Sequence, residues 1–84
     1  MIDDVEIAEK VIHVLSETAH REPGTIRMES SLVDDLEMDS FMAIEMLFHL
    51  EDQYHIEIPD EQIKTFRKVS DIVEYLRKRL GETG

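Results

Sequence analysis

Apolar residues recur at intervals of three and four in two stretches of this chain, and residues 20–39 between them sustain no period. This spacing places apolar side chains along one side of a helix, whereas a half-buried strand alternates at every second residue. The first stretch therefore predicts a helix over residues 3–19, and the second predicts a helix over residues 40–54. A chain with two such stretches is expected to fold as a helical protein.

Local signals predict the remaining elements. Pro59-Asp60-Glu61 suits a first helical turn, because proline lacks the N–H that would be unpaired there and acids favour the positive end of the dipole. A short helix is expected over residues 59–65, and a last helix over residues 70–80 before Gly81. Residues 20–39, where Pro23-Gly24 ends the first helix, are expected to form a long loop pinned to the core. The expected fold class is all-α, a small bundle of three main helices plus one short one.

Polar residues at the predicted helix starts provide acceptors for backbone N–H groups that have no partner within the helix. Asp3 and Glu6 have the spacing of a capping box, Asp39 or Ser40 is placed to cap the second helix, and Ser70 is placed to cap the last. With 84 residues the chain has room for one small domain, expected to span residues 1–84.

Charge is distributed unevenly along the chain. Twenty acidic and nine basic side chains give a net charge of −11, and residues 29–61 contain eleven of the acids and no lysine or arginine. The remaining nine acids balance the nine bases. An anionic middle third disfavours nucleic acid and acidic membranes as partners, and it favours basic proteins.

Cysteine is absent from the chain, which excludes disulfides, thiolate metal sites and a thiol nucleophile of its own. Apolar runs fall far short of the roughly 20 residues that a membrane helix needs, and Met1-Ile2-Asp3-Asp4 lacks the basic start of a signal peptide. We therefore expect a cytoplasmic monomer without membrane insertion.

Calcium binding and enzymatic chemistry are the alternatives that the polar residues raise. An EF-hand beginning at Asp35 would have Ser40 in place of the glycine at position six and Met46 in place of the glutamate at position twelve. The four histidines lack the i, i+4 spacing of a zinc-binding helix, and no Gly-x-Ser-x-Gly motif marks a nucleophile. The sequence predicts neither a metal site nor a catalytic residue.

The second predicted helix has more apolar surface than a core contact requires. Its apolar residues cover an arc of roughly 220°, whereas a stripe of about 100° suffices to face a core. Part of this surface is therefore expected to be exposed beside carboxylates, as in a docking face. The residues of the arc are Phe41, Ala43, Ile44, Met46, Leu47, Phe48, Leu50 and Tyr54.

The segment Asp35-Leu36-Glu37-Met38-Asp39-Ser40-Phe41, followed at matching distances by Glu45, Glu51 and Ile58-Pro59-Asp60-Glu61, resembles the acyl carrier protein family. Members of this family carry 4′-phosphopantetheine on the serine of an Asp-Ser-Leu motif. The resemblance implies that Ser40 receives this group covalently from coenzyme A and that acyl groups are then carried as thioesters on its thiol. A helix N-terminus suits the attachment, since the dipole and free N–H groups tolerate a phosphodiester there.

The resemblance also implies partners and a function. The partners would be a phosphopantetheinyl transferase and acyl-loading, synthase and acyltransferase enzymes with basic docking patches, in fatty-acid, lipid or polyketide-type biosynthesis. The alternative is a non-enzymatic acidic helical adaptor that binds basic proteins without a prosthetic group. The positions that match the family's docking residues are Asp39, Ile44, Glu45, Phe48, Glu51, Asp52, Ile58 and Asp60.

Four positions depart from the family pattern. Glu37 stands where the family commonly has glycine, and Phe41 replaces the usual leucine after the serine. Met42 and Lys64 occupy positions that are typically acidic in housekeeping fatty-acid carriers. These changes leave the attachment serine in place and alter the surface around it, which favours a specialised carrier.

Overall fold

Residues 4–82, the part of the chain that the computed structural model describes, contain three α-helices and two short 3₁₀ segments. The α-helices are α1 (Asp4–Ala19), α2 (Ser40–Tyr54) and α3 (Val69–Glu82). A one-turn 3₁₀ segment spans Pro23–Thr25, and a 3₁₀ helix spans Asp60–Thr65. The expected all-α class, with three long helices and a short one, is confirmed. None of the helices within residues 4–82 is long and apolar enough to cross a membrane.

The three α-helices enclose one apolar core, with α1 packed against both α2 and α3. Each helix contributes residues three or four positions apart, as the sequence pattern predicts. A fully buried aliphatic side chain contributes about 1.5–3 kcal/mol to folding, so these residues supply much of the stability. The largest fully buried side chains are Ile7, Val11, Leu15, Met46, Leu47, Leu50, Val69, Ile72 and Leu76.

Helices α1 and α2 run in opposite directions. The ammonium of Lys10, in the first half of α1, lies 5.4 Å from the ring centroid of Tyr54 at the end of α2. At the other end, Arg21 follows α1 and pairs with Glu37, which precedes α2. The C-terminal end of α1 therefore lies beside the turn that leads into α2.

Helix α3 begins differently from the prediction. It starts at Val69, so Ser70 is already inside the helix and the cap assigned to it is wrong. The carboxylate of Asp71 instead accepts hydrogen bonds from the backbone N–H groups of Arg67 and Lys68, each at 3.0 Å, as the acid of a capping box does. These bonds lower the pKa of Asp71 below its usual value.

The C-terminal end of α3 also differs from the prediction. Helix α3 continues through Gly81 to Glu82, so this glycine does not end it. The cap predicted at Asp3 lies outside the described residues.

The loop between α1 and α2 is held to the core, as expected. The N–H of Leu32 donates to the carbonyl of Arg67 at 2.9 Å, and the N–H of Val69 donates to the carbonyl of Ser30 at 3.2 Å. These bonds join the loop to the segment before α3. The side chains of Ile26, Leu32, Leu36 and Met38 are buried in the core. The loop is consequently a fixed support for the start of α2.

Candidate functional site

Ser40 is the first residue of α2, and its side chain is exposed. Asp39 precedes it in an extended conformation, with its Oδ1 atom accepting a hydrogen bond from the N–H of Met42 at 2.8 Å. The carbonyl of Asp39 accepts a second bond, from the N–H of Ala43 at 3.0 Å. Of the two residues placed to cap this helix, Asp39 is the cap. The hydroxyl of Ser40 is therefore not required to hold the helix end.

The electrostatic environment of Ser40 suits an attached phosphate. The first turn of α2 contains no acidic residue, and its N–H groups and dipole present positive partial charge at the position of Ser40. A phosphodiester on the Ser40 oxygen would be placed at this positive end. The residues present fit a phosphate-linked group at this serine.

An apolar cleft of about 220 Å³ opens beside Ser40. Its volume lies below the roughly 300 Å³ at the small end of drug-sized pockets, so it has room for a small apolar group or for part of a longer one. Asp39 and Ser40 supply the polar groups of the cleft. Its apolar lining consists of Leu32, Val33, Met38, Ala43, Met46, Ile63 and Phe66.

The turn before Asp39 is closely hydrogen-bonded. The N–H of Ser31 donates to the carboxylate of Asp35 at 2.6 Å, and the N–H of Met38 donates to the carbonyl of Leu32 at 2.9 Å. Glu37 adopts a left-handed backbone conformation with φ of 54°. Its Oε2 atom lies 3.2 Å from the guanidinium Nη2 of Arg21. The turn thus places Asp39 and Ser40 at a defined point above the cleft.

The outer face of α2, which we define as Phe41, Ile44, Glu45, Phe48 and Asp52, points away from the core. Phe41 is 75% exposed and Phe48 is 62% exposed, and Ile44, Glu45 and Asp52 are also exposed. The expectation that part of the apolar arc faces solvent is confirmed. An exposed apolar strip flanked by carboxylates has the composition of a protein interaction surface.

Ile58 does not belong to the exposed surface, contrary to the expectation that it contacts partners. Its side chain is only 4% exposed, and its N–H donates to Oε2 of Glu51 at 2.8 Å. The reason is the end of α2, where His55 takes a left-handed conformation and the chain turns back towards the core. Glu51 is half-buried and closes this turn, whereas Asp60 is exposed at the start of the 3₁₀ helix.

Several residues around Ser40 were missed by reasoning from the sequence. Val33 and Ile63 line the cleft, although no period in the sequence marks them. Met42, which is not among the residues of the predicted apolar arc, packs partly buried against the core. Each of them is an apolar residue in a polar or irregular segment. Only the three-dimensional contacts show which part of the molecule its side chain faces.

Known proteins resemble this chain over most of its length. Residues 9–76 match the family model described as "Phosphopantetheine attachment site". The meromycolate extension acyl carrier protein of Mycobacterium tuberculosis is 38% identical over 73 residues, which cover 87% of this chain and 64% of the relative. This chain therefore spans a little under two thirds of the length of that relative.

Relatives of similar size to the chain are covered more fully. The acyl carrier protein of Rhodococcus erythropolis is 36% identical over 77 residues, covering 92% of this chain and 85% of the relative. That of Rickettsia canadensis is 31% identical over 74 residues, covering 88% and 86% respectively. These relatives are carriers rather than enzymes. With the family match, the helical fold and a phosphate-compatible serine in agreement, the chain belongs to the acyl carrier protein family, whose members bind phosphopantetheine.

Proposed function

We propose that the chain carries acyl groups on a 4′-phosphopantetheine arm attached to Ser40 and presents them to partner enzymes. The observation that supports this most is the position of Ser40, exposed at the start of α2 next to a residue that already caps the helix. A serine needed as the cap would lose helix stability on modification, because its oxygen would have to serve two purposes. Ser40 has no such conflict.

The attachment reaction would transfer the phosphopantetheine half of coenzyme A to Ser40. The Ser40 oxygen would bond to the coenzyme A phosphorus nearest the pantetheine while the P–O bond of the pyrophosphate bridge breaks. The adenosine bisphosphate half would leave with the bridging oxygen, and the hydroxyl proton would pass to a base of the transferase. The N–H groups at the start of α2 face the new negative charge. The attached group supplies a thiol, which a chain without cysteine lacks, and this thiol holds acyl groups as thioesters.

The cleft beside Ser40 is proposed to receive part of an apolar acyl chain. Its lining comes from the loop, α2, the 3₁₀ helix and Phe66 just after that helix, so the width of the cleft depends on how these segments pack. Met38 and Met46 lie in the lining, and their flexible side chains adapt to guests of different shape. Shielding the chain there would remove apolar surface from water.

The outer face of α2, together with Asp60, is proposed to dock basic partners. Its aromatic and aliphatic side chains would fill an apolar pocket on the partner, and its carboxylates would meet basic side chains at the rim. The expected partners are a phosphopantetheinyl transferase and acyl-loading, synthase and acyltransferase enzymes. Asp39 and Glu51 do not belong to this surface, because their carboxylates are engaged by the N–H groups of Met42 and Ile58.

The pathway is proposed to be a specialised one that extends lipid chains. Relatives include proteins named meromycolate extension acyl carrier protein, and Phe41, Met42 and Lys64 depart from the housekeeping pattern. The mass of the acyl group on protein isolated from its native cells tests this proposal. An acyl chain longer than the ordinary fatty acids of the same cells supports it, whereas ordinary fatty-acyl chains alone or an aminoacyl group would contradict it.

Attachment at Ser40 is tested by incubating the apo-protein with coenzyme A and a broad-specificity phosphopantetheinyl transferase, followed by intact mass measurement. The wild type should gain one phosphopantetheine group. Ser40→Ala should gain none, while the matched control Ser70→Ala should behave like the wild type. An unmodified wild type would support the alternative of an acidic adaptor without a prosthetic group. A mass gain that survives Ser40→Ala would refute attachment at Ser40.

A further inference from the structure

Glu37 occupies a backbone conformation that suits glycine better than glutamate. Its φ of 54° lies in the left-handed region, where the Cβ atom of an L-residue crowds the following carbonyl oxygen. Left-handed residues persist where the surrounding structure holds them, and they cluster at functional sites. Glu37 lies three positions before Ser40, in the turn that sets the entry of the chain into α2.

The neighbours of Glu37 are fixed, while its own side chain is not buried. Leu36 and Met38 are in the core, and their N–H groups donate to the carbonyls of Ser31 and Leu32 at 3.1 and 2.9 Å. The side chain of Glu37 is 74% exposed. Burial therefore does not determine where its carboxylate points.

Arg21 provides an anchored partner for this carboxylate. Its N–H donates to the carbonyl of Ser16 at 3.0 Å, and its carbonyl accepts a bond from the hydroxyl of Ser16 at 2.5 Å. The backbone of Arg21 is thus fixed to the last turn of α1. From this position its guanidinium reaches the carboxylate of Glu37 at 3.2 Å. The ion pair joins the end of α1 to the left-handed residue of the turn.

We propose that Arg21 is a positioning residue for the modification of Ser40, acting through its ion pair with Glu37 to hold the turn that presents Asp39 and Ser40. This inference rests on the proposed function in one respect, that Ser40 is the modified residue. Because both partners are partly exposed, the pair is weak and is screened by salt. Its loss should shift the equilibrium between the correct turn and other conformations by up to about fivefold, the factor in the equilibrium constant that corresponds to ~1 kcal/mol.

Two single variants with opposite charge changes distinguish a positioning role of Arg21 and Glu37 from simple attraction of the transferase. Arg21→Gln makes the surface more acidic, and Glu37→Gln makes it less acidic. If these residues only attracted a basic transferase, the two variants would change KM in opposite directions. A positioning role predicts that both lower kcat by up to about fivefold at low salt, with smaller losses at high salt.

The experiment measures kcat and KM for Ser40 modification at two salt concentrations, together with NMR amide exchange of Met42, whose N–H donates to Asp39. Both single variants should lower kcat and speed Met42 exchange. The charge-swapped double variant Arg21→Glu/Glu37→Arg, which keeps the net charge, should restore both values towards wild type. Arg27→Gln, which removes an exposed arginine of the same loop, is the matched control and should change neither.

Two results would overturn the inference: KM changes of opposite sign with unchanged kcat, or Met42 exchange that neither single variant alters. The exchange measurement does not depend on the prosthetic group. A wild type that is never modified would therefore refute the proposed function while leaving the ion pair testable by exchange. A wild type modified at Ser40 with unaffected variants would refute the positioning role alone.

Discussion

The two faces of α2 contain similar apolar residues but place them in opposite environments. On the inner face, Met46, Leu47 and Leu50 are at most 1% exposed. On the outer face, Phe41 and Phe48 are mostly exposed, although each has more apolar surface than any of the inner residues. Burial accounts for the inner face. Since exposing two phenylalanines gains nothing for folding, the outer face is better explained by binding.

The carboxylates near α2 divide in the same way. Asp39 and Glu51 each accept a hydrogen bond from a backbone N–H at 2.8 Å. The donor to Asp39 is Met42 in the first turn of α2, and the donor to Glu51 is Ile58 beyond the end of α2. Glu45 and Asp52 are exposed on the outer face. The acidic middle of the chain therefore combines carboxylates that shape the backbone with carboxylates that are available to a partner. Net charge alone does not distinguish the two groups.

The largest contrast is expected between Leu50→Ala and Phe48→Ala. Leu50→Ala removes a fully buried side chain and leaves a cavity, so we expect the free energy of unfolding to fall by about 2–5 kcal/mol. Phe48→Ala removes a side chain that is 62% exposed and should cost less than about 1 kcal/mol. Urea unfolding of both variants measures the difference. Equal losses would mean that the outer face also stabilises the fold.

A smaller contrast is expected between Glu51→Ala and Glu45→Ala. Loss of the Glu51 carboxylate leaves the N–H of Ile58 without its charged acceptor, which should lower the free energy of unfolding by about 1–3 kcal/mol. Glu45→Ala should change it by no more than about 0.5 kcal/mol. Thermal and urea unfolding provide the measurement. A Glu51 variant as stable as the Glu45 variant would return Glu51 to the set of docking candidates.

This division explains which features could be predicted from the sequence. The three long helices could be predicted from local apolar spacing, and Ser40 could be identified as the candidate site from a local motif. The bond from Ile58 to Glu51, the cleft and the Arg21–Glu37 pair each join segments separated along the chain. A helical wheel assigns Glu51 to a face, but it does not include the turn that brings the N–H of Ile58 to it. The predicted cap of α3 is wrong because the helix starts one residue earlier than expected. Ser70 therefore lies inside the helix, and its neighbour Asp71 accepts the bond from the N–H of Lys68.

The smallest effect on stability concerns the exposed carboxylates of the outer face. Glu45 and Asp52 lie in a segment without lysine or arginine, so their neutralisation in the double variant Glu45→Gln/Asp52→Asn should relieve repulsion and raise Tm slightly. Added salt should raise the Tm of the wild type, and it should raise that of the double variant less, because screening acts on fewer charges.

The same double variant should bind a basic transferase less well, so that KM for Ser40 modification rises by several-fold at low salt while kcat is retained. Asp34→Asn/Glu57→Gln, which neutralises two exposed acids of the same segment outside the outer face, serves as the matched control. It should give a similar gain in Tm with a smaller rise in KM. If the two double variants raise KM equally, total charge and not the outer face determines recognition. A rise confined to the Glu45 and Asp52 variant would instead locate docking on this face, where Phe41 follows Ser40 and Phe48 lies between the two carboxylates along α2.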